Sequence, residues 1–286
     1  MSLFQSWQML LGISVITFSI STILQRIIMK DADSDSVAYS IFFQIATGII
    51  LGVFALMHGF HMPNLLMYWQ NILLMIFLYA AANILIFKSL QVIEASEFTV
   101  LFVTRAFWTI LSAVVFLGER FSFGQLLGTI LVLGGVIIVS YKKSNFALNK
   151  GAFFAILGAF FLGLGFTNDA FLVRHFDVMS YEAVAFILPG LAIAVVSPKS
   201  LRKMKPLFRP MTALKIGTLA LIYGISAVTV FVAYQVGHNA AQLGALNQLS
   251  TVVTVLFAII FLRETSNLWK KVLGALLSFV GAVLIG

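Results

Sequence analysis

The chain has 286 residues, 61% of them hydrophobic and 10% charged, with a mean hydropathy of +1.05. A soluble domain carries about 25% charged residues, so a single water-facing globule is excluded and lipid is the natural solvent. The absence of Cys excludes disulfides, thiolate metal sites and thiol nucleophiles. The net charge of +8 does not indicate a nucleic-acid partner, because the basic residues sit in short turns between apolar runs, where they set membrane orientation.

A transmembrane helix needs about 20 mostly apolar residues, and ten such spans can be read in order. The first is Trp7–Met29, followed by the acidic turn DADSDS; the second, Val37–Met57, closes on HGFHMPN. Residues 1–8 carry no Lys or Arg, and no small-residue cleavage site ends the first run, so it is expected to be retained rather than removed as a signal peptide. The third span is Leu65–Gln91, the fourth Ala95–Leu117 and the fifth Phe121–Tyr141. Residues 142–150, rich in Lys and Asn, link the halves. The sixth span is Gly151–Leu172, and the seventh, Ser180–Val196, contains Pro189-Gly190, a kink signal. After the polar stretch PKSLRKMKPLFRP come Lys215–Gly237, Asn239–Leu262 and Asn267–Gly286. No Gly-x-x-x-x-Gly-Lys-Ser/Thr element is present to cradle a triphosphate. Neither HExxH nor GxSxG occurs, and acids within spans are few, so an enzyme is not expected.

The two halves are copies. At a shift of 145, Thr109 meets Thr254, Leu111 meets Leu256, Ala113 meets Ala258, Phe116-Leu117 meets Phe261-Leu262, and Glu119 meets Glu264. After a one-residue slip in the turn, Leu127-Gly128 meets Leu273-Gly274 and Gly135 meets Gly281. The expected architecture is an all-α membrane protein, with repeats at 1–141 and 151–286. Five spans per half is odd, so the second copy enters the membrane from the opposite side and the repeats are inverted. Of 18 Lys and Arg, 14 lie in odd-numbered turns, two (Arg120 and Arg174) in even-numbered turns, and two (Lys88 and Arg105) inside spans. The positive-inside rule then places both termini outside the cytoplasm.

The apolar span closing on Phe116-Leu117-Gly118-Glu119-Arg120, followed by Leu127-Gly128 and Gly134-Gly135, and its copy Phe261-Leu262-Arg263-Glu264, Leu273-Gly274 and Gly281 resemble the EamA-like transporters of the drug/metabolite transporter superfamily. The resemblance covers nearly the whole chain. It implies an inner-membrane or plasma-membrane carrier with a central cavity lined by the first, third, fourth, sixth, eighth and ninth spans. Relatives move amino acids and other small metabolites, often outward. Many relatives carry a proline early in the fourth and ninth spans; here those regions read Phe102-Val103-Thr104-Arg105-Ala106 and Asn247-Gln248-Leu249-Ser250-Thr251, so no proline hinge is expected. Relatives are also often drawn with both termini cytoplasmic, opposite to the charge count.

The polar residues inside the spans are the candidates for transport. A guanidinium at bilayer depth costs about 2.5–3.5 kcal/mol on insertion scales, so Arg105 should face a wet cavity or a partner. Glu97, Leu101, Thr104, Arg105, Trp108 and Ser112 share a broad helical face. Arg105 is either a fork for an anionic substrate or one half of an internal ion pair with Glu97 or Asp169. Asp169 itself is either a proton-binding carboxylate, as Glu97 is a second candidate to be, or an end-of-helix acid paired with Arg174. In the first span Ser14, Thr17, Ser21 and Gln25 form a polar stripe that should line a cavity or bond a neighbour. Asn247, Gln248, Thr251 and Thr254 are divided in the same way between cavity and interhelical bonding. Tyr79 and Asn83 in the third span and Tyr223 and Tyr234 in the eighth are further candidates. Lys88 is expected to snorkel towards Glu94, and His238, alone in its turn, makes no metal site. Glu119 and Glu264 are expected to be architectural, through turn hydrogen bonds or by pairing with Arg120 and Arg263. Gly48-x-x-x-Gly52 and Gly124-x-x-x-Gly128 allow close helix contacts, inside a monomer or across a homodimer.

The expectation is a secondary transporter for a small polar metabolite, such as an amino acid or another anion-bearing compound. It would work by alternating access, with export the favoured direction and no cofactor, catalytic residue or metal. Its partners are that substrate, the bilayer and, as one coupling option, a proton. The alternatives are a non-transporting scaffold or receptor, and an intramembrane enzyme.

Overall fold

A computed structural model describes residues 6–30, 35–61, 64–117, 122–140, 149–237 and 247–285. All regular structure among them is helical. The spans are Trp7–Met29, Ser36–His58, Trp69–Val92, a fourth in two pieces (Ala95–Phe102 and Thr104–Leu117), Phe123–Ser140, Lys150–Leu172, Val178–Val196, Pro210–Gly237, Leu249–Leu262 and Leu268–Ile285. Six of these helices are long and apolar enough to cross a membrane by length and composition. A helix of 23 residues, such as the first, is about 34 Å long at 1.5 Å per residue, enough for the hydrocarbon core.

Local chemistry sets the helix starts. Asp35, Asn149 and Asp177 are N-caps whose side chains accept from the N–H groups of Ala38, Ala152 and Ser180. Asp35 and Asp177 stand at the heads of the second and seventh spans, matched positions of the two copies. The eighth span begins five residues earlier than the hydropathy predicts, at Pro210, because a proline fits the first helical position and Lys215 is simply carried along the first turns. The third begins later, at Trp69, because Leu65–Tyr68 forms a turn.

The fourth span is the main departure from the expected continuous helices. It breaks at Val103, where Ala106 N–H bonds the Val103 carbonyl at 3.0 Å, a tightened i−3 turn. The Thr104 hydroxyl takes the Leu101 carbonyl at 2.8 Å, a local bond that competes with the helical ladder. At the equivalent point of the ninth span, 145 residues on, Thr251 N–H bonds the Gln248 carbonyl at 2.9 Å. The same tightened turn therefore recurs at the matched point of both copies, without a proline.

The packing repeats the sequence symmetry. The first span lies on the eighth and the third on the sixth, and exchanging the halves converts one pair into the other. The second lies on the seventh, the fifth on the tenth and the fourth on the ninth, each pair its own image. The motif glycines are where the fifth and tenth spans cross. The Gly274 carbonyl lies 2.6 Å from where a Cβ on Gly135 would stand, and the Gly128 carbonyl 2.5 Å from one on Gly281. Gly48 meets the Ala183 carbonyl of the seventh span, and Gly124 meets Leu284 of the tenth, so these glycines serve contacts within the chain. The large apolar side chains left outside, among them Leu56, Phe116, Val195 and Val196, form the lipid-facing surface.

Candidate functional site

Arg105 stands in the middle of the broken fourth span, half-buried. Its guanidinium carbon lies 5.1 Å from the Phe18 ring centroid and 5.5 Å from that of Phe102. Such cation–π contacts contribute about 0.5–2 kcal/mol. Its guanidinium makes no ion pair or hydrogen bond among the described residues. The ionisable groups that face it are the phenols of Tyr223 and Tyr79. Neither carboxylate named as its internal partner is there: Glu97 faces Arg26, and Asp169 is held by tyrosines. A guanidinium offers a planar fork of donors that matches a carboxylate or phosphate, and here no acceptor among the described residues takes them.

Trp108, one turn further, packs edge-on against Phe160 at 5.0 Å and lies over Gly163 of the sixth span; its indole Nε1 is buried without a partner. It is a second donor without a partner among the described residues, three positions after Arg105 in the chain. The rest of the predicted face disperses. Thr104 bonds its own backbone, and Ser112 bonds Thr167 of the sixth span at 2.7 Å. Tyr223 sits edge-on to Phe43, 5.1 Å away, and 6.0 Å from Phe18. The first, third, fourth, sixth and eighth spans thus all reach this region.

The first-span stripe does not line it as a unit. Ser14 bonds Ser226 of the eighth span, while Thr17 and Ser21 bond carbonyls of their own helix. Gln25 is buried. In the third span Asn83 donates to the Tyr79 carbonyl. In the ninth, Asn247 Oδ1 and the Thr254 hydroxyl are buried without partners, Gln248 stands at the break, and Thr251 is buried one turn on.

Asp169 is 1% exposed and accepts hydrogen bonds from the hydroxyls of Tyr79 and Tyr181, the latter at 2.7 Å. It is therefore not paired with Arg174, which donates to the Tyr234 hydroxyl at 3.2 Å. Gly165 makes room for the Tyr79 ring and Gly158 for the backbone near Ala82. Glu182 of the seventh span is a buried acid that the sequence reading passed over, although an ionisable residue four positions into an apolar run is a functional signal by default. Asn71 and Asn168 bond reciprocally nearby, Nδ2 to Oδ1 at 2.7 Å and Nδ2 to carbonyl at 3.0 Å.

A second polar network ties the halves at the odd-turn end. Glu264 accepts from Ala95 N–H, Ser96 N–H and the Ser96 hydroxyl, capping the fourth span, and lies 3.8 Å from Arg26. Of the two expected partners for the Glu264 side chain, turn hydrogen bonds or Arg263, neither is used: Arg263 takes a left-handed backbone (φ 54°) that ends the ninth span, and Glu264 turns to the other half. Arg26 also donates to the Leu90 carbonyl. Glu94 pairs with Lys271 and Ser266 and not with Lys88, whose ammonium lies over the Phe154 ring at 5.9 Å. Glu119, Arg120 and His238 lie outside the described residues.

The family model for the EamA-like transporter family matches residues 5–141 and again 149–286. Comparison with curated proteins returns no match. Among solved structures, one titled only "Crystal structure of protein" superposes with a TM-score of 0.63 at 15% identity, covering 96% of each chain, which shows a shared fold.

Proposed function

The chain belongs to the EamA-like transporter family, and on that premise we propose that it carries a small polar metabolite with an anionic group outward by alternating access. It is a multi-pass membrane transporter and not an enzyme, which sets aside the scaffold, receptor and enzyme readings. An amino acid or a similar anion-bearing compound is the substrate class this reading favours.

The observation that carries it is Arg105, at mid-span, with no carboxylate or other acceptor on its guanidinium among the described residues. Aromatic rings hold the cation without neutralising it. Matched breaks at Val103 and Gln248 give both halves a flexing point at the same depth, which suits exchange of conformations between inverted repeats. Repeats at 1–141 and 151–286, a linker at 142–150 and an odd-turn end facing the cytoplasm complete the reading. A monomer suffices for it, because Gly48 and Gly124 are already used within the chain.

The test is thermal unfolding of the purified protein against a metabolite library, beside Arg105→Gln. A ligand at 100 times its Kd stabilises by about 2.7 kcal/mol. Anion-bearing compounds are expected to stabilise the wild type and not the variant. Equal stabilisation of both overturns the role of Arg105.

A further inference from the structure

The buried acids between Arg105 and the even-turn end are mismatched to their donors. Asp169 takes both nearby phenolic hydrogens, from Tyr79 and Tyr181. Glu182, next to Tyr181 in sequence, is 3% exposed, makes no hydrogen bond among the described residues, and has a fully enclosed Oε1 without a partner. The ionisable groups within electrostatic reach of it are Asp169 from the sixth span, Tyr79 from the third, Tyr223 from the eighth, and Tyr181 of its own helix. The second span, packed alongside so that a Cβ on Gly52 would stand 3.8 Å from that of Ala183, has no Asp, Glu, Lys or Arg; its titratable groups are Tyr39 and His58. Arg105 faces the phenols and neither carboxyl.

Two carboxyls therefore share an enclosed site with two donated hydrogens, both on one of them. Two hydrogen bonds are donated to Asp169, and among the described residues none is donated to Glu182. Two enclosed carboxyls with one set of donors between them are most simply accommodated with a proton on one of them. We propose that Glu182 is a proton-binding site of the transport cycle, the carboxyl that keeps a proton while Asp169 is ionised. This rests on the transporter reading above. The bound state has the proton on a Glu182 oxygen. The released state has a second carboxylate beside Asp169 and the proton in the water of whichever side the cavity faces. Release needs a compensating charge or water at Glu182, so it is tied to substrate entry or to opening. The site lies one turn from the even-turn end of its span, on the opposite side of Arg105 from the network at Glu264.

Infrared difference spectroscopy of the purified protein between about pH 5 and pH 9, in light and heavy water, reads the protonated carboxyl directly and needs no substrate. A carbonyl band of a protonated acid that disappears as pH rises is expected in the wild type and not in Glu182→Gln. In Asp169→Asn the band should persist and disappear at lower pH, because removing a negative neighbour favours ionisation. If Glu182→Gln does not fold, the shift in Asp169→Asn alone decides the matter. A band unchanged by Glu182→Gln, or unmoved by Asp169→Asn, overturns the proposal. Either result leaves the library screen on Arg105 untouched, so the two readings fail separately.

Discussion

Replacing Gly135 by Ala, and separately replacing its neighbour Gly134, tests whether the fifth and tenth spans are held by backbone contact. A Cβ at Gly135 would stand 2.6 Å from the Gly274 carbonyl and 2.3 Å from the Ser278 hydroxyl. The hydroxyl can rotate away; the carbonyl cannot. Contact becomes ordinary at 3.4 Å, so the two helices must part locally by 3.4 − 2.6 = 0.8 Å. A gap of that size forfeits about a quarter to a half of the dispersion energy of each pair along the seam. Overpacking of this kind costs about 1–3 kcal/mol. A Cβ at Gly134 meets nothing within 4 Å, so Gly134→Ala should gain about 0.8–1.0 kcal/mol of helix propensity. Both positions lie inside the same helix and share that gain, so the two variants are separated by the overpacking cost, about 1–3 kcal/mol, although they differ by one position and the same methyl group. Thermal unfolding in nanodiscs, followed by tryptophan fluorescence, should place Gly134→Ala at or above the wild type and Gly135→Ala several degrees below. Adding Ser278→Ala to Gly135→Ala should recover little, because the carbonyl remains. Equal melting of the two single variants would refute the close-contact argument.

Glu264→Ala removes the cap of the fourth span and the partner of buried Arg26, and should cost about 2–3 kcal/mol in the same assay, with Glu264→Gln milder. No loss in Glu264→Ala would show that the odd-turn network does not hold the halves together. Arg263 adopts φ 54° where the first copy has Gly118, so Arg263→Gly should stabilise by up to about 1 kcal/mol; a loss would mean the Arg263 side chain matters more than its backbone. At Asp35, outside the membrane, burial pushes the carboxyl up, but the hydrogen bond from Lys203 and those from the Ala38 and Val37 N–H groups outweigh it, and the group sits below its ordinary value. A lowered folded value means that the stabilisation is fully present above the unfolded value near pH 3.8 and is lost as pH falls through the folded one. Asp35→Ala should therefore melt below the wild type by a constant margin from about pH 5 to pH 8, and the margin should shrink below about pH 4. A margin that grows on acidification would reverse the sign of this argument.

How much could be read without coordinates differed by residue. Arg105 was legible as a charge too deep to be idle, and Asp169 as an acid with glycines on its face. Their partners were not legible, because Phe18, Tyr79 and Tyr181 come from other helices, and no spacing along one helix encodes a crossing angle. The polar stripe from Ser14 to Gln25 predicted one shared face, but hydroxyls choose between their own carbonyl and a neighbour by distances of a few tenths of an ångström. Glu182 was visible as an acid in an apolar run, yet its lack of a donor among the described residues is a statement about the side chains around it.

By itself the sequence determined that the chain lives in lipid, crosses it in ten apolar segments and is built from two inverted copies, because hydropathy, span parity and repeat spacing are local or additive properties of a chain. It also identified the family. Only the tertiary structure decided which helices cross at the glycines, that the fourth span breaks without a proline, and that, among the described residues, the Arg105 guanidinium lies over aromatic rings with no acceptor and Glu182 receives no hydrogen bond. Those outcomes depend on where atoms from distant helices meet, and at that range a hydrogen bond or a clash turns on less than an ångström.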